Sequence, residues 1–173
     1  MRYVVGIFMA LLALGISIAF SRAQDIRSLL PEQHWDWYMG YALGMYRGQG
    51  YVDCLPHRDN VYNFECRTPP HLSADKLPGY PVYLTLNLIL FGDRDPVAAI
   101  RLLQSVLAAM IVFMTTMLAS RIANIRVAII AGALMVTTLP LYQLAYLLFS
   151  EVLFTFLLFM SLCSRLSSSA SVI

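Results

Sequence analysis

Between Tyr3 and Phe20 the chain carries no charged side chain, between Val97 and Ser120 it carries one, Arg101, and between Val127 and Cys163 one more, Glu151. Helical segments of about 18 or more apolar residues match the hydrocarbon thickness of a bilayer, and a water-soluble core has no use for runs of that length. The composition agrees, at 59% hydrophobic and only 13% charged residues. The sequence therefore predicts an all-α, polytopic integral membrane protein with about four transmembrane helices. A formal net charge of +2 without any Lys/Arg-rich run excludes nucleic acid as a partner and makes membrane lipid the first one.

The expected organisation has three parts: a first transmembrane helix over 1–20, a polar loop with interfacial helices over 21–95, and a three-helix transmembrane segment over 96–173. Tyr3 to Phe20 spans about 27 Å as a helix, enough for one crossing. A retained anchor and a cleaved signal peptide both fit, the second because Ser21-Arg22-Ala23 has the small-x-small form of a cleavage site. The length of the apolar run favours the anchor. Asp95 and Pro96 form a helix start, with a carboxylate to cap free N–H groups and proline in the first turn. Asn124-Ile125-Arg126 is read as a tight turn. The long run beyond it is read as two helices turning over between about Pro140 and Ser150, with Ser150 as N-cap and Glu151 favoured by the helix dipole. Four spans place Arg2, Arg121, Arg126 and Arg165 on one side with no acid, so the positive-inside rule puts the polar loop outside the cytoplasm.

That loop holds nine of the ten acidic residues, all three histidines, both tryptophans and two of the three cysteines. Tyr38, Ala42, Met45 and Tyr46 recur near helical spacing, and Gly48 and Gly50 end the run. With Trp35, Trp37 and Tyr41 nearby, this helix is expected to lie at the membrane surface. Val82 to Phe91 is a second apolar helix, about 15 Å long and too short to span, started by Pro81 and stopped by Gly92. Val52 to Asp75, with prolines at 56, 69 and 70, is expected to be irregular. Cys54 and Cys66 within it are disulfide candidates in an oxidising compartment. The pairs Cys54-x2-His57 and Cys66-x4-His71 resemble zinc ligand sets only loosely, so no metal site is assigned, and no cofactor motif is present.

Four motifs occur in order: Tyr38-x3-Ala42 with Gly48-x-Gly50-Tyr51, Lys76-x-Pro78-Gly79-Tyr80-Pro81, Arg101-Leu102-Leu103-Gln104, and Ser150-Glu151-x2-Phe154-Thr155. In that order and spacing they resemble the N-terminal membrane half of polytopic GT-C glycosyltransferases, the aminoarabinose- and mannosyl-transferase-like enzymes that use polyprenyl-phosphate sugars. The likeness covers nearly the whole chain, which reads as a truncated form of such an enzyme. It implies sugar transfer outside a bacterial inner membrane, with Asp36 as the catalytic carboxylate that activates or positions the acceptor. It also implies a lipid-phosphate groove formed by Lys76, Arg101 and Glu151. Lys76 stands where the family has arginine, and Leu77 replaces a proline. His34 occupies a position where an acid is expected.

Each assignment has a plainer counterpart. Asp36 also suits a cap for the helix that follows, and Lys76 a solvated loop charge. Arg101, about 7 Å inside its span, has to snorkel or find a partner, and an Arg101–Glu151 ion pair meets that need. The family's enzymes are several hundred residues long. The alternative function is therefore a non-catalytic accessory subunit of a larger membrane complex, photosynthetic or respiratory for example, packing on partner helices through Ala108, Ala109, Gly132 and Ala133.

Overall fold

The computed structural model describes residues 1–23, 36–52, 54–57, 60–66, 77–92 and 96–169, with the backbone alone at 36–37, 55–57, 60–66, 96–97 and 166–169. In chain order the elements are α1 (Arg2–Ala23), α2 (Asp36–Tyr46), β1 (Cys54–His57), β2 (Asn60–Cys66), α3 (Gly79–Phe91), α4 (Pro96–Ile122), α5 (Ile125–Val136), α6 (Leu139–Tyr146) and α7 (Ser150–Ser169). They belong to two compact units, one made of Met1–Gln24 with Arg101–Ile173 and the other of Asp25–Ile100.

Two helical segments are long and apolar enough to cross a membrane by themselves, Arg2–Ala23 and Ala98–Ile122. α5 and α6 reach that condition only as a pair bent by 48°. Among the described residues the candidate spans thus number two, or three with the bent pair, where the sequence led to about four.

The bend falls at Thr137–Thr138, earlier than the Pro140–Ser150 window expected from the sequence. The cause is Pro140, which has no N–H to donate to the carbonyl four residues back, that of Val136. The Tyr142 hydroxyl donates to that carbonyl instead, at 2.7 Å. Thr138 donates its hydroxyl to the Leu134 carbonyl at 2.8 Å, and Thr137 donates to those of Ala133 and Leu134. The Leu134 and Val136 carbonyls freed by the break are therefore satisfied inside the chain, as an apolar surround requires. The tight turn before α5 forms as expected: the Asn124 side chain accepts from the backbone N–H groups of Arg126 and Val127 at 3.0 and 3.1 Å.

In the first unit, α1 turns Gly6, Ala13 and Ser17 inward and leaves Tyr3, Val4, Ile7, Phe8 and Leu11 exposed, the division expected of a helix with lipid on one side. Close helix approach rests on Gly132 of α5, where a Cβ would stand 2.6 Å from the Thr116 hydroxyl and 3.1 Å from the Met9 side chain.

In the second unit α2 is enclosed on all sides, because the consecutive residues Met39 to Gly44 are buried. This corrects the expectation of a helix lying on the membrane surface. The apolar stripe free for that role belongs to α3, which exposes Val82, Leu86, Ile89, Leu90 and Phe91 while burying Tyr80, Leu84, Asn87 and Leu88. Gly44 lets the chain fold back on α2: a Cβ there would meet the Val52 carbonyl oxygen at 2.8 Å. Gly48 and Gly50 have φ of +74° and +85°, which explains why glycines end this helix. The segment expected to be irregular contains an antiparallel hairpin of β1 and β2, in which Cys54 stands opposite Cys66 and Leu55 opposite Glu65. The all-α expectation holds for the described structure except at this hairpin.

Replacing Tyr142 with phenylalanine removes the only side-chain donor described on the Val136 carbonyl and leaves a buried acceptor unpaired. Tyr142→Phe should cost about 1–3 kcal/mol, read as a lower midpoint in thermal unfolding of the detergent-solubilised protein.

Candidate functional site

Arg101 lies within the second spanning helix and is only half-buried. A charge at this depth needs internal partners, and the structure supplies them from α6. The Arg101 Nε donates to the Tyr146 carbonyl at 3.2 Å, and the guanidinium carbon stands 4.0 Å from the centre of the Tyr146 ring. Tyr146 is the last residue of α6, so its carbonyl belongs to the helix end that carries the negative pole of the dipole. One side chain therefore caps a helix by charge, by hydrogen bond and by cation–π contact at once.

Polar groups from two helices lead to the same place. The Ser17 hydroxyl of α1 donates to the Ser105 hydroxyl at 2.8 Å, and Ser105 donates to the Arg101 carbonyl at 2.9 Å. Phe20 packs edge-on against the Tyr146 ring at 6.1 Å, and Gln104 is wholly buried one turn beyond Arg101. Arg101 thus joins α1, α4 and α6 in a small polar cluster inside an otherwise apolar unit.

Glu151 stands in the first turn of α7, exposed, and the Ser150 hydroxyl donates to it at 3.4 Å. The described partners of Arg101 include the ring and carbonyl of Tyr146. Asp36 is the first residue of α2, and its side chain is outside the described atoms. Lys76 lies outside the described residues. Cys54 is buried and is set opposite Cys66 by the strand register. Among the described residues no group of three or more His, Cys, Asp or Glu side chains could hold a metal ion.

The second unit gathers tyrosines. Tyr38 packs edge-on to Tyr80 at 5.0 Å, Tyr80 stacks on Tyr83 at 5.7 Å, and Tyr41 stacks on Tyr51 at 4.5 Å. Burial pushes the Tyr83 phenol up to about 12, and the nearby Asn87 side chain offsets only part of that rise. Burial also raises Tyr51, helped by the neighbouring Tyr41 and Tyr38.

Sequence reasoning picked Arg101 but missed Tyr146, Phe20, Ser17 and Ser105. The available signal was Arg101 itself: a cation inside a span calls for an acceptor, and a helix ending just before Ser150 offers carbonyls.

The raised Tyr83 value gives stability a pH dependence. The folded protein holds this proton more tightly than the unfolded chain, so the contribution is complete below pH 10 and is lost as pH rises toward about 12. An alkaline thermal-shift series should show the midpoint falling across that window, with a shallower fall in Tyr83→Phe.

In comparisons with protein-family profiles, curated proteins and solved structures, nothing matched the chain.

Proposed function

We propose that this chain is a membrane protein that binds a lipid-linked phosphate at Arg101 and belongs to the machinery of polyprenyl-phosphate-dependent glycosyl transfer outside the cytoplasmic membrane. The observation that supports the reading is a half-buried arginine in a helix long and apolar enough to span, held over an aromatic ring, with a chain of two serine hydroxyls ending on its backbone carbonyl. An oriented guanidinium offers a planar fork that matches phosphate oxygens, which a flexible ammonium does not.

In the transfer itself, an acceptor oxygen forms the new bond to the anomeric carbon as the bond to the phosphate oxygen breaks. The acceptor proton passes to Asp36, and the negative lipid phosphate departs toward Arg101 and Lys76. The roles of Asp36, Lys76 and Glu151 come from the likeness in sequence motifs. The accessory-subunit reading is favoured by a different observation, the two or three candidate spans among the described residues, which are too few to enclose a lipid-sugar cavity without partner helices.

Binding to vesicles containing a polyprenyl phosphate tests the first reading. Arg101→Ala should weaken binding at least about tenfold, in line with loss of a charged hydrogen-bonded contact, and Arg101→Lys should recover only part of it. Equal binding by all three proteins would defeat the assignment. Sugar transfer by the purified chain, lost in Asp36→Asn, identifies the enzyme, whereas stoichiometric copurification with other membrane subunits and no transfer identifies the accessory protein.

The extracytoplasmic placement of the polar loop goes with a Cys54–Cys66 cystine. Directly opposed residues of an antiparallel pair have Cα atoms about 4.5–5.5 Å apart, inside the range a disulfide bridges. Intact mass of the native protein should be lower by two hydrogens than after reduction, and reduction should lower the unfolding midpoint. A native mass equal to the reduced one would place the loop in a reducing compartment.

A further inference from the structure

Within the first unit α1 and α4 run antiparallel, and two contacts fix their register. The Ser17 hydroxyl meets that of Ser105, and a Cβ on Gly6 would stand 3.0 Å from the Phe113 ring and 3.3 Å from the Met117 sulfur. α5 joins both helices at Gly132, which faces Thr116 and Met9. Three arginines arrive at one level when the helices are followed outward from these contacts. Arg2 is four residues before Gly6, Arg121 four after Met117 and Arg126 six before Gly132. At about 1.5 Å of rise per residue, each lies about 6–9 Å beyond its contact. All three are exposed. The single acidic residue of this unit, Glu151, is at the other end, separated from Tyr146 only by residues 147–149. Arg101 and Arg121 stand twenty residues apart on α4 with no charge between them, and Arg2 and Arg22 do the same on α1. Twenty residues of helix cover about 30 Å, the thickness of a bilayer's hydrocarbon core. The end that carries Arg2, Arg121 and Arg126 therefore falls at headgroup depth in the leaflet opposite Arg101.

We propose that Arg2, Arg121 and Arg126 form a binding site for an anionic phospholipid, its headgroup phosphate held by the guanidinium groups and its acyl chains lying on the apolar sides of the helices below. Cations at headgroup depth attract acidic lipids, and a guanidinium fork matches phosphate oxygens. The neighbouring surface selects a lipid over a soluble anion: Tyr3, Val4, Ile122, Val127 and Ile130 are all exposed beside the three arginines. Tyr3 also brings an aromatic ring to the depth where such rings settle in a bilayer. The Asn124 side chain already accepts the N–H groups of Arg126 and Val127, so recognition falls to the guanidinium groups and not to the start of α5. The site stands on the membrane character of the helices, whether or not Arg101 takes a lipid-linked phosphate.

Thermal unfolding of the full chain in maltoside micelles, titrated with phosphatidylglycerol or with phosphatidylcholine, reads the site. Phosphatidylglycerol should raise the midpoint in a saturable way, and phosphatidylcholine should not. The double variant Arg121→Gln/Arg126→Gln should need about twentyfold more phosphatidylglycerol for the same effect, at about fivefold per cation lost. Arg101→Ala should titrate like the wild type. Should the double variant fail to fold, the wild-type titration decides at raised ionic strength: about 0.5 M salt should weaken the phosphatidylglycerol response severalfold, because exposed charges are screened. A response that salt leaves unchanged, an equal response to the two lipids, or an unshifted titration in the double variant overturns the proposal. So does an equal rise with inorganic phosphate alone, which needs no acyl chain. Loss of the phosphatidylglycerol response in Arg101→Ala, with the double variant unaffected, assigns the lipid to Arg101 and overturns the separate site.

Discussion

The Arg101–Tyr146 contact joins α4 to α6 by a charged hydrogen bond and a cation–π contact at once. In an apolar surround, a helix that stops short leaves carbonyls with no water to bond, and a cation inside a span has no water to solvate it. Each defect is costly alone. Placed within 3.2 Å of each other, they cancel. Tyr146 offers its ring face to the guanidinium and meets the Phe20 ring at a near-right angle, so one residue on α6 is tied to both α4 and α1. The serine pair between α1 and α4 fixes the same level of the unit from the opposite flank.

The break between α5 and α6 follows the same rule with neutral groups. Pro140 removes one donor, and Tyr142 returns one to the Val136 carbonyl. Threonines 137 and 138 bond back to the preceding turn. The bend is therefore a built element of the fold, with the Leu134 and Val136 carbonyls both paired, and α6 ends where Arg101 reaches it.

Much of this was legible in the sequence because it depends on local chemistry. The uncharged run over α1, the tight turn at Asn124, the stops at Gly48, Gly50 and Gly92, and Arg101 as a residue in need of a partner all follow from residue type and spacing. What escaped depends on contacts distant in the chain or on choices made against propensity. Tyr142 reads as one more apolar aromatic until the Val136 carbonyl is seen beneath it. The turn at Leu148, where φ is +57°, carries no glycine to announce it. The hairpin at Cys54–Cys66 was hidden by Pro56, which reads as a strand breaker, although the register is disturbed only between Pro56 and His57. In α2, aromatic density was taken for membrane affinity, whereas Tyr38 packs on Tyr80 of α3 and Tyr41 stacks on Tyr51 beyond the end of the helix.

The apolar stripe along α3 has a practical bearing on residues 25–100. These residues form a compact unit, and such units invite excision for antibody production or for assays in plain buffer. Phe91, Leu90, Ile89, Leu86 and Val82 would then face water as one continuous greasy edge. Separated from its membrane anchors, the fragment would clump or cling to any surfactant present, and its study belongs in micelles or lipid discs.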